Sequence, residues 1–405
     1  MTSLLIDNLA QYASPVAPAP ARGSALREVE VVTGAAIAIV DGRIAACGPR
    51  DQVLRDHGDL PVHDAGGRAA IPGLVDCHTH AAFGGDRAAE FDLRSQGASY
   101  EQIHAAGGGI AASVRDTRAA AADGTLAALL GGHLAWMAAA GTTTAEVKSG
   151  YGLDHDTELA MLDAAGAGHP IEVAPTFLGA HAVGPEWDDG DDYLTFVITQ
   201  VMPQAAVRAE AADVFLERGA FDRDQAERYL RAAAGHGLVL RLHADQFSEA
   251  GGVELAVELG ARSVDHLEAT GPAGVAALAA SDVGAVLLPV AALYLRRSQP
   301  PARALIDGGA IVALATDFNP GSAFCDSLPV VMTLACTVLG MTPGEALAAS
   351  TVNAAWVLGR ADRVGRLAPG YDADIVLLDA PDWRHVAYHL AGRDIAAVYA
   401  RGRSL

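Results

Sequence analysis

Residues 74–87, LVDCHTHAAFGGDR, place two histidines, His78 and His80, two positions apart at the end of an apolar run. Side chains at i and i+2 of a strand share a face, so both imidazoles can point the same way. Other apolar runs carry further polar groups at their ends: TFLGAH ends on His181, LVLRLHADQ holds His243, ARSVDHLEA holds His266, and IVALATDFNPG holds Asp317. Three imidazoles, from His78, His80 and His243, and the Asp317 carboxylate make a nitrogen and oxygen site suited to zinc or ferrous iron. One histidine at a strand end commonly satisfies nothing more than a local hydrogen bond. Five histidines and an aspartate, all at such ends, call for a common purpose.

Bringing them together requires a scaffold whose strands all end on one face. Eight apolar runs meet that need: 71–80, 142–150, 171–181, 212–219, 238–246, 261–269, 283–291 and 311–321. Helical stretches such as DTELAMLDAAGAG and DRDQAERYLRAAAGHG separate several of them, the second closing on a glycine suited to a helix end. The alternation predicts an α/β fold, a (β/α)8 TIM barrel with strands buried on both faces and functional groups at their C-terminal ends. Both chain ends read differently. Residues 27–65 look like short strands with a hairpin at Asp41-Gly42, and the C-terminus, from GRLAPGYDADIVLLDA onward, has the same texture. The expected division is residues 1–68 and 359–405 in a small β-sandwich domain built from both termini, with residues 69–358 forming the barrel. The Pro/Ala stretch ASPVAPAPARG reads as a surface loop.

With 405 residues, 51% of them hydrophobic, the chain can bury one large core and a smaller one. A net charge of −21 disfavours nucleic acid and anionic membrane as partners, since both need basic patches. The most apolar stretch, residues 274–295, is broken by Ser281-Asp282 and Pro289 and reads as helix, turn and strand, not a membrane span. Cys47, Cys77, Cys325 and Cys336 are widely spaced with no C-x-x-C, so a reducing compartment is expected. The N-terminus has neither a basic start nor a long apolar segment, and a cytoplasmic protein is the expectation. Cys77, next to the candidate ligand His78, should face the barrel wall as a core residue.

The motifs GLVDCHTHAAFGGDRAAEF, HAAGGGI, EVKSGYGL, TFLGAH, LHADQ, DHLE and ATDFNPGS together resemble the imidazolonepropionase family of the metal-dependent amidohydrolases, from about residue 68 to the C-terminus. The resemblance implies one Zn2+ or Fe2+/Fe3+ per chain, held by His78, His80, His243 and Asp317. It implies hydrolytic opening of 4-imidazolone-5-propanoate to N-formimidoyl-L-glutamate, a step of histidine degradation. By motif match, substrate contacts fall on Arg87, Tyr151, His181, Gln246, Asn319, Gly321 and Ser322, with Tyr100 a further candidate. A homodimer is also implied.

The chemistry asks for these residue types. A cyclic amide resists neutral water, and a metal lowers the pKa of bound water to roughly 7. Asp317 is placed to take the proton and return it to the leaving nitrogen, and His266 to polarise the carbonyl. Gln246 bears on reaction type, because barrel relatives that deaminate purines and pyrimidines carry a titrating glutamate there, whereas an amide only exchanges hydrogen bonds. Arg87 can clamp the propionate through a bidentate pair, or else pair with Glu90 or Asp86 on the surface. Relatives with two metals use a bridging group from the fourth strand. Here the single lysine, Lys148, lies on the second and only Glu217 is available on the fourth, so one metal is expected. Two other readings stay open: a related hydrolase of another cyclic amide or amidine, and a barrel that binds without catalysing.

Overall fold

The computed structural model describes residues 3–97, 108–392 and 394–405. Eight parallel strands follow one another in sequence order: β1 (Leu74–Asp76), β2 (Thr142–Lys148), β3 (Glu172–Ala180), β4 (Ala211–Leu216), β5 (Val239–Ala244), β6 (Ser263–His266), β7 (Gly284–Leu287) and β8 (Ile311–Leu314). Helices between them pack outside, as right-handed crossovers require. The ring closes just past β1 and β8. There the Asp317 amide donates to the His78 carbonyl at 3.1 Å, the His80 amide donates to the Phe318 carbonyl at 3.0 Å, and Thr79 pairs with Phe318. Asp76 fastens the same seam, accepting from the Thr316 hydroxyl at 2.6 Å and its amide at 3.2 Å. Three of the four candidate ligands therefore sit on the two segments that close the barrel.

The strand-rich termini join as expected. Leu4–Pro15, Val29–Val40, Arg43–Pro49, Val62–Asp64, Ala69–Pro72, Ile375–Leu378, Ile395–Ala400 and Arg403–Ser404 hydrogen-bond into one mixed sheet with apolar clusters of its own. The Asp41-Gly42 hairpin is present, both residues at positive φ (53° and 80°).

Three local expectations are corrected. The run 71–80 is not one strand. Ala69–Pro72 pairs in the terminal sheet, and the chain passes at Gly73 into β1, where a Cβ would lie 2.2 Å from the Thr143 hydroxyl. The run 283–291 ends as strand at Leu287, because Pro289, fixed in φ and lacking an N–H, starts the helix Pro289–Tyr294. The Pro/Ala stretch is not simply a surface loop, since Ala17 and Ala21 are buried and Asn353 both donates to and accepts from the Ala21 backbone.

The barrel interior also departs from the expected apolar filling. Inward-facing positions two apart carry charge: Asp76 before His78, Glu146 before Lys148, Asp213 before Phe215, and Arg241 before His243. With Asp265 on β6 they form a buried layer of charges beneath the strand ends. TIM barrels usually fill that space with branched aliphatic side chains.

Candidate metal centre

At the C-terminal ends of the strands the candidate ligands converge. His78, His80 and His243 offer ligand nitrogens within 4.8 Å of one another. Asp317 Oδ1 lies 3.5 Å from His78 Nε2 and 3.4 Å from His80 Nε2, and the Nε2 atoms of His243 and His80 are 3.2 Å apart. All four residues are buried. Backbone strain gathers here too, with His266 at φ 86°, Leu267 at 70° and Asp317 at 55°. Such conformations cost on the order of 1–3 kcal/mol each and persist only where surrounding contacts impose them.

This donor set fits a divalent cation. His78 Nε2 is buried without a hydrogen-bond partner among the described residues. Its other ring nitrogen, Nδ1, is 2.5 Å from Asp265 Oδ2, and His243 Nδ1 is 3.1 Å from Asp213 Oδ1. A carboxylate on Nδ1 fixes the tautomer that leaves Nε2 with its lone pair. Burial, reinforced by neighbouring positive groups, holds His78 and His80 well below the usual histidine range, so both are the neutral imidazoles that ligation needs. Burial likewise pushes the Asp317 carboxyl up to about 7. For His266 burial acts downward, but Glu268, 3.3 Å from Nδ1, outweighs it and raises the imidazole.

Lys148 supports this arrangement from below. Fully buried, its Nζ is 2.6 Å from Asp213 Oδ2, 2.8 Å from Glu146 Oε2 and 3.8 Å from Asp265 Oδ2. One ammonium thus holds both carboxylates that orient His243 and His78. Burial alone would lower the lysine, yet Asp213, Glu146 and Asp265 keep it above its ordinary value. Arg241 adds a second cation at 2.7 Å from Glu146 Oε1. Glu217 is occupied elsewhere: its carboxylate accepts from the amides of Arg218, Phe247 and Ser248 and from the Ser248 hydroxyl.

A cavity opens above the candidate ligands, lined by His80, Tyr151, His181, Phe215, His243, Gln246, His266, Asp317, Asn319 and Ser322. The structure thus gathers most of the sequence-derived site. Arg87 stands at its edge, with Nε and Nη2 donating to Glu90 at 2.7 and 2.5 Å, the pairing the sequence offered as the alternative to a substrate clamp. Nη1 instead faces Gly321, where an added Cβ would lie 1.9 Å from it. The Gly321 carbonyl accepts from Arg94 at 2.8 Å. The Asn319 amide builds its own turn, accepting from the Gly321 and Ser322 amides and donating to the Asp317 carbonyl. Tyr100 lies outside the described residues. Cys77 is buried, with Sγ near the Leu314 carbonyl.

Sequence reasoning missed Asp213, Asp265, Glu268 and Phe215. Each lies next to or two residues from a position already singled out or within a strand already drawn, so inward alternation on β4 and β6 was the available signal.

Residues 69–405 match the model of the amidohydrolase family. Over 407 aligned residues the chain is 60% identical to the imidazolonepropionase of Rubrobacter xylanophilus, covering 99% of this chain and 98% of that protein. It is 48% identical to the imidazolonepropionase of Chloroflexus aggregans, covering 99% and 97%. Among solved structures it shares its fold with a zinc-bound adenosine deaminase from Xanthomonas campestris (TM-score 0.72, 19% identity, 99% of this chain and 92% of that one). The guanine deaminase of E. coli is similar in fold at TM-score 0.73 and 15% identity, covering 100% and 99%.

Proposed function

The chain belongs to the imidazolonepropionase family of the amidohydrolases and is a hydrolase, and from that premise we propose that it opens 4-imidazolone-5-propanoate to N-formimidoyl-L-glutamate. The observation that carries this reading is the convergence of His78, His80, His243 and Asp317 beneath a cavity lined by hydrogen-bonding side chains.

His78, His80, His243 and Asp317 would hold one zinc or iron ion. Such an ion supplies Lewis acidity and makes water nucleophilic near neutral pH. The rest falls to this chain's side chains. Asp317 takes a proton from the attacking water as the oxygen bonds to the ring carbonyl carbon, and delivers it to the ring nitrogen as the C–N bond breaks. His266, oriented by Glu268, faces the carbonyl oxygen and stabilises the charge that develops there. Tyr151, His181 and Gln246 hold the ring in register, and the amide of Gln246 exchanges hydrogen bonds without titrating. Arg87 Nη1 meets the propionate from the rim, where Gly321 leaves room for the guanidinium, and Asn319 and Ser322 of the same turn line the cavity beside it.

We also propose a cytoplasmic enzyme, on four widely spaced cysteines with no C-x-x-C; no described helix is long and apolar enough to cross a membrane. We assign it a homodimeric state on its family membership. The substrate offers two electrophilic carbons, the carbonyl and the amidine carbon between the nitrogens. Turnover in oxygen-18 water separates them. Tandem mass spectrometry should find the label in a new carboxylate of formimidoylglutamate. Label in a formyl group would mean attack at the amidine carbon and would overturn the assigned roles.

A further inference from the structure

Between β2 and the helix His155–Ala165, the segment 149–154 turns sharply, with Gly150 at φ 101° and Leu153 at φ 55°. It returns two groups to the cavity. Tyr151 puts its ring 5.8 Å from that of His80 and 5.3 Å from that of His181. The Gly150 carbonyl lies 3.0 Å from His181 Nδ1, accepting its proton and leaving Nε2 as the free acceptor.

What shapes this turn is a carboxylate that touches neither metal ligand nor cavity. Glu158, first turn of the following helix and 1% exposed, folds back into the loop. Its Oε1 accepts from the amides of Gly152 at 2.8 Å and Leu153 at 2.9 Å, and both of its oxygens lie 3.1 Å from the Gly150 amide. Arg118 grips the opposite side, donating to the Gly152 carbonyl at 2.7 Å and pairing with Asp154 at 2.8 Å. Among the described residues Glu158 has no cationic partner at ion-pair distance. Burying an unpaired carboxylate is costly, and the Ser149 hydroxyl and the three amides it collects offset that cost. Gly152 follows from the same seat, since a Cβ there would lie 2.6 Å from the Glu158 amide nitrogen and 2.9 Å from Oε1, whereas a Cβ at Gly150 would meet the Leu178 carbonyl at 2.9 Å.

We propose that Glu158 is a positioning residue for substrate recognition: by gathering the amides of Gly150, Gly152 and Leu153, it sets where Tyr151 and His181 stand. This rests on the reading that those two side chains contact the substrate. The alternative is a carboxylate that stabilises the fold and leaves recognition untouched.

The test compares metal-loaded wild type, Glu158→Ala, Glu158→Gln and Gly152→Ala. KM and kcat are measured on imidazolone propanoate, binding of unreactive imidazole-4-propanoate by calorimetry, metal per chain, and amide hydrogen exchange over 149–154. Glu158→Ala should raise KM and weaken the unreactive ligand by about tenfold or more, change kcat by less than about threefold, and leave metal content unchanged. Exchange at 150, 152 and 153 should speed up. Glu158→Gln should fall between, since its oxygen can replace Oε1 while its NH2 group faces the Gly150 amide. Wild-type KM and ligand affinity in Glu158→Ala, with only a lower melting temperature, would overturn the proposal. If that variant does not fold, Gly152→Ala makes the same test by crowding the seat from the loop side, with the same expected KM rise and the same refuting result. Wild type that neither turns over nor binds the imidazole ligand would instead sink the substrate reading, and unchanged loop exchange in the variants would then sink the positioning claim separately.

Discussion

Replacing Asp213 by asparagine tests how the charged floor of the barrel governs the metal centre. Asp213 Oδ2 lies 2.6 Å from Lys148 Nζ, and both of its oxygens lie 3.1 Å from His243 Nδ1. Burial alone would raise its carboxyl, but His243 and Lys148 hold it below the usual carboxylate range, so it is an anion in the native protein. An asparagine has one oxygen and one NH2 group to place against the same two neighbours. With the NH2 toward Lys148, two donors oppose each other at close range. With the NH2 toward His243, one oxygen is left to serve both Lys148 and the Nδ1 proton, which favours moving that proton to Nε2, where it takes the lone pair out of the proposed ligand set. Loss of such a carboxylate–histidine contact typically weakens metal affinity by about 10–100-fold. Stability should fall by about 1–3 kcal/mol, less than for a fully broken buried pair, because Glu146 still holds Lys148 at 2.8 Å. The assay is zinc competition against a chromophoric chelator on purified wild type and Asp213→Asn, with urea unfolding alongside. An Asn variant that binds zinc within twofold of wild type would refute the role assigned to this layer.

Gly321→Ala places a Cβ where the Arg87 guanidinium lies, so it should raise KM for imidazolone propanoate by about tenfold with metal content unchanged; wild-type KM would detach Arg87 from substrate binding. Lys148→Met leaves Asp213, Glu146 and Asp265 without their shared ammonium and should cost about 3–5 kcal/mol in denaturant unfolding. Glu345 tests pH dependence away from the centre. Burial acts upward on its carboxyl, but Arg303, the Thr342 amide and Arg27 together hold it at about 2. A folded value below the unfolded one of about 4.3 contributes stability that is complete above that value and is lost as pH falls toward 2. At roughly 1.4 kcal/mol per unit this amounts to about 3 kcal/mol between pH 5 and pH 2, and Glu345→Gln should flatten that part of the acid unfolding profile.

The proposed ligands could be read from the sequence because each obeys a simple rule: a polar residue at the end of an apolar run, with i and i+2 on one face. His78, His80, His243 and Asp317 all follow it. The carboxylates beneath them follow the same alternation, but Asp213 and Asp265 sit inside runs whose apolar neighbours signal a filled core, and no local pattern shows that Lys148 from β2 will reach both. That contact spans sequence separations of 65 and 117 residues and exists only once the barrel closes. Glu158 was hidden for another reason. A carboxylate in the first turn of a helix ordinarily reads as a dipole contact, and its turn back into the preceding loop depends on glycines at 150 and 152 that the sequence displays only as a motif. The split of the run 71–80 at Gly73 was similarly invisible, because periodicity does not tell which of two sheets a strand joins.

We propose that this chain hydrolyses imidazolone propanoate with a metal held by His78, His80, His243 and Asp317. The most direct measurement follows the ultraviolet absorbance of freshly generated 4-imidazolone-5-propanoate with purified protein of known metal content, before and after chelation and after zinc or iron is restored. Absorbance should fall as formimidoylglutamate forms, the chelator should abolish that loss, and about one ion per chain should restore it. Protein that carries its metal and leaves the imidazolone to decay at the rate of buffer alone would contradict it.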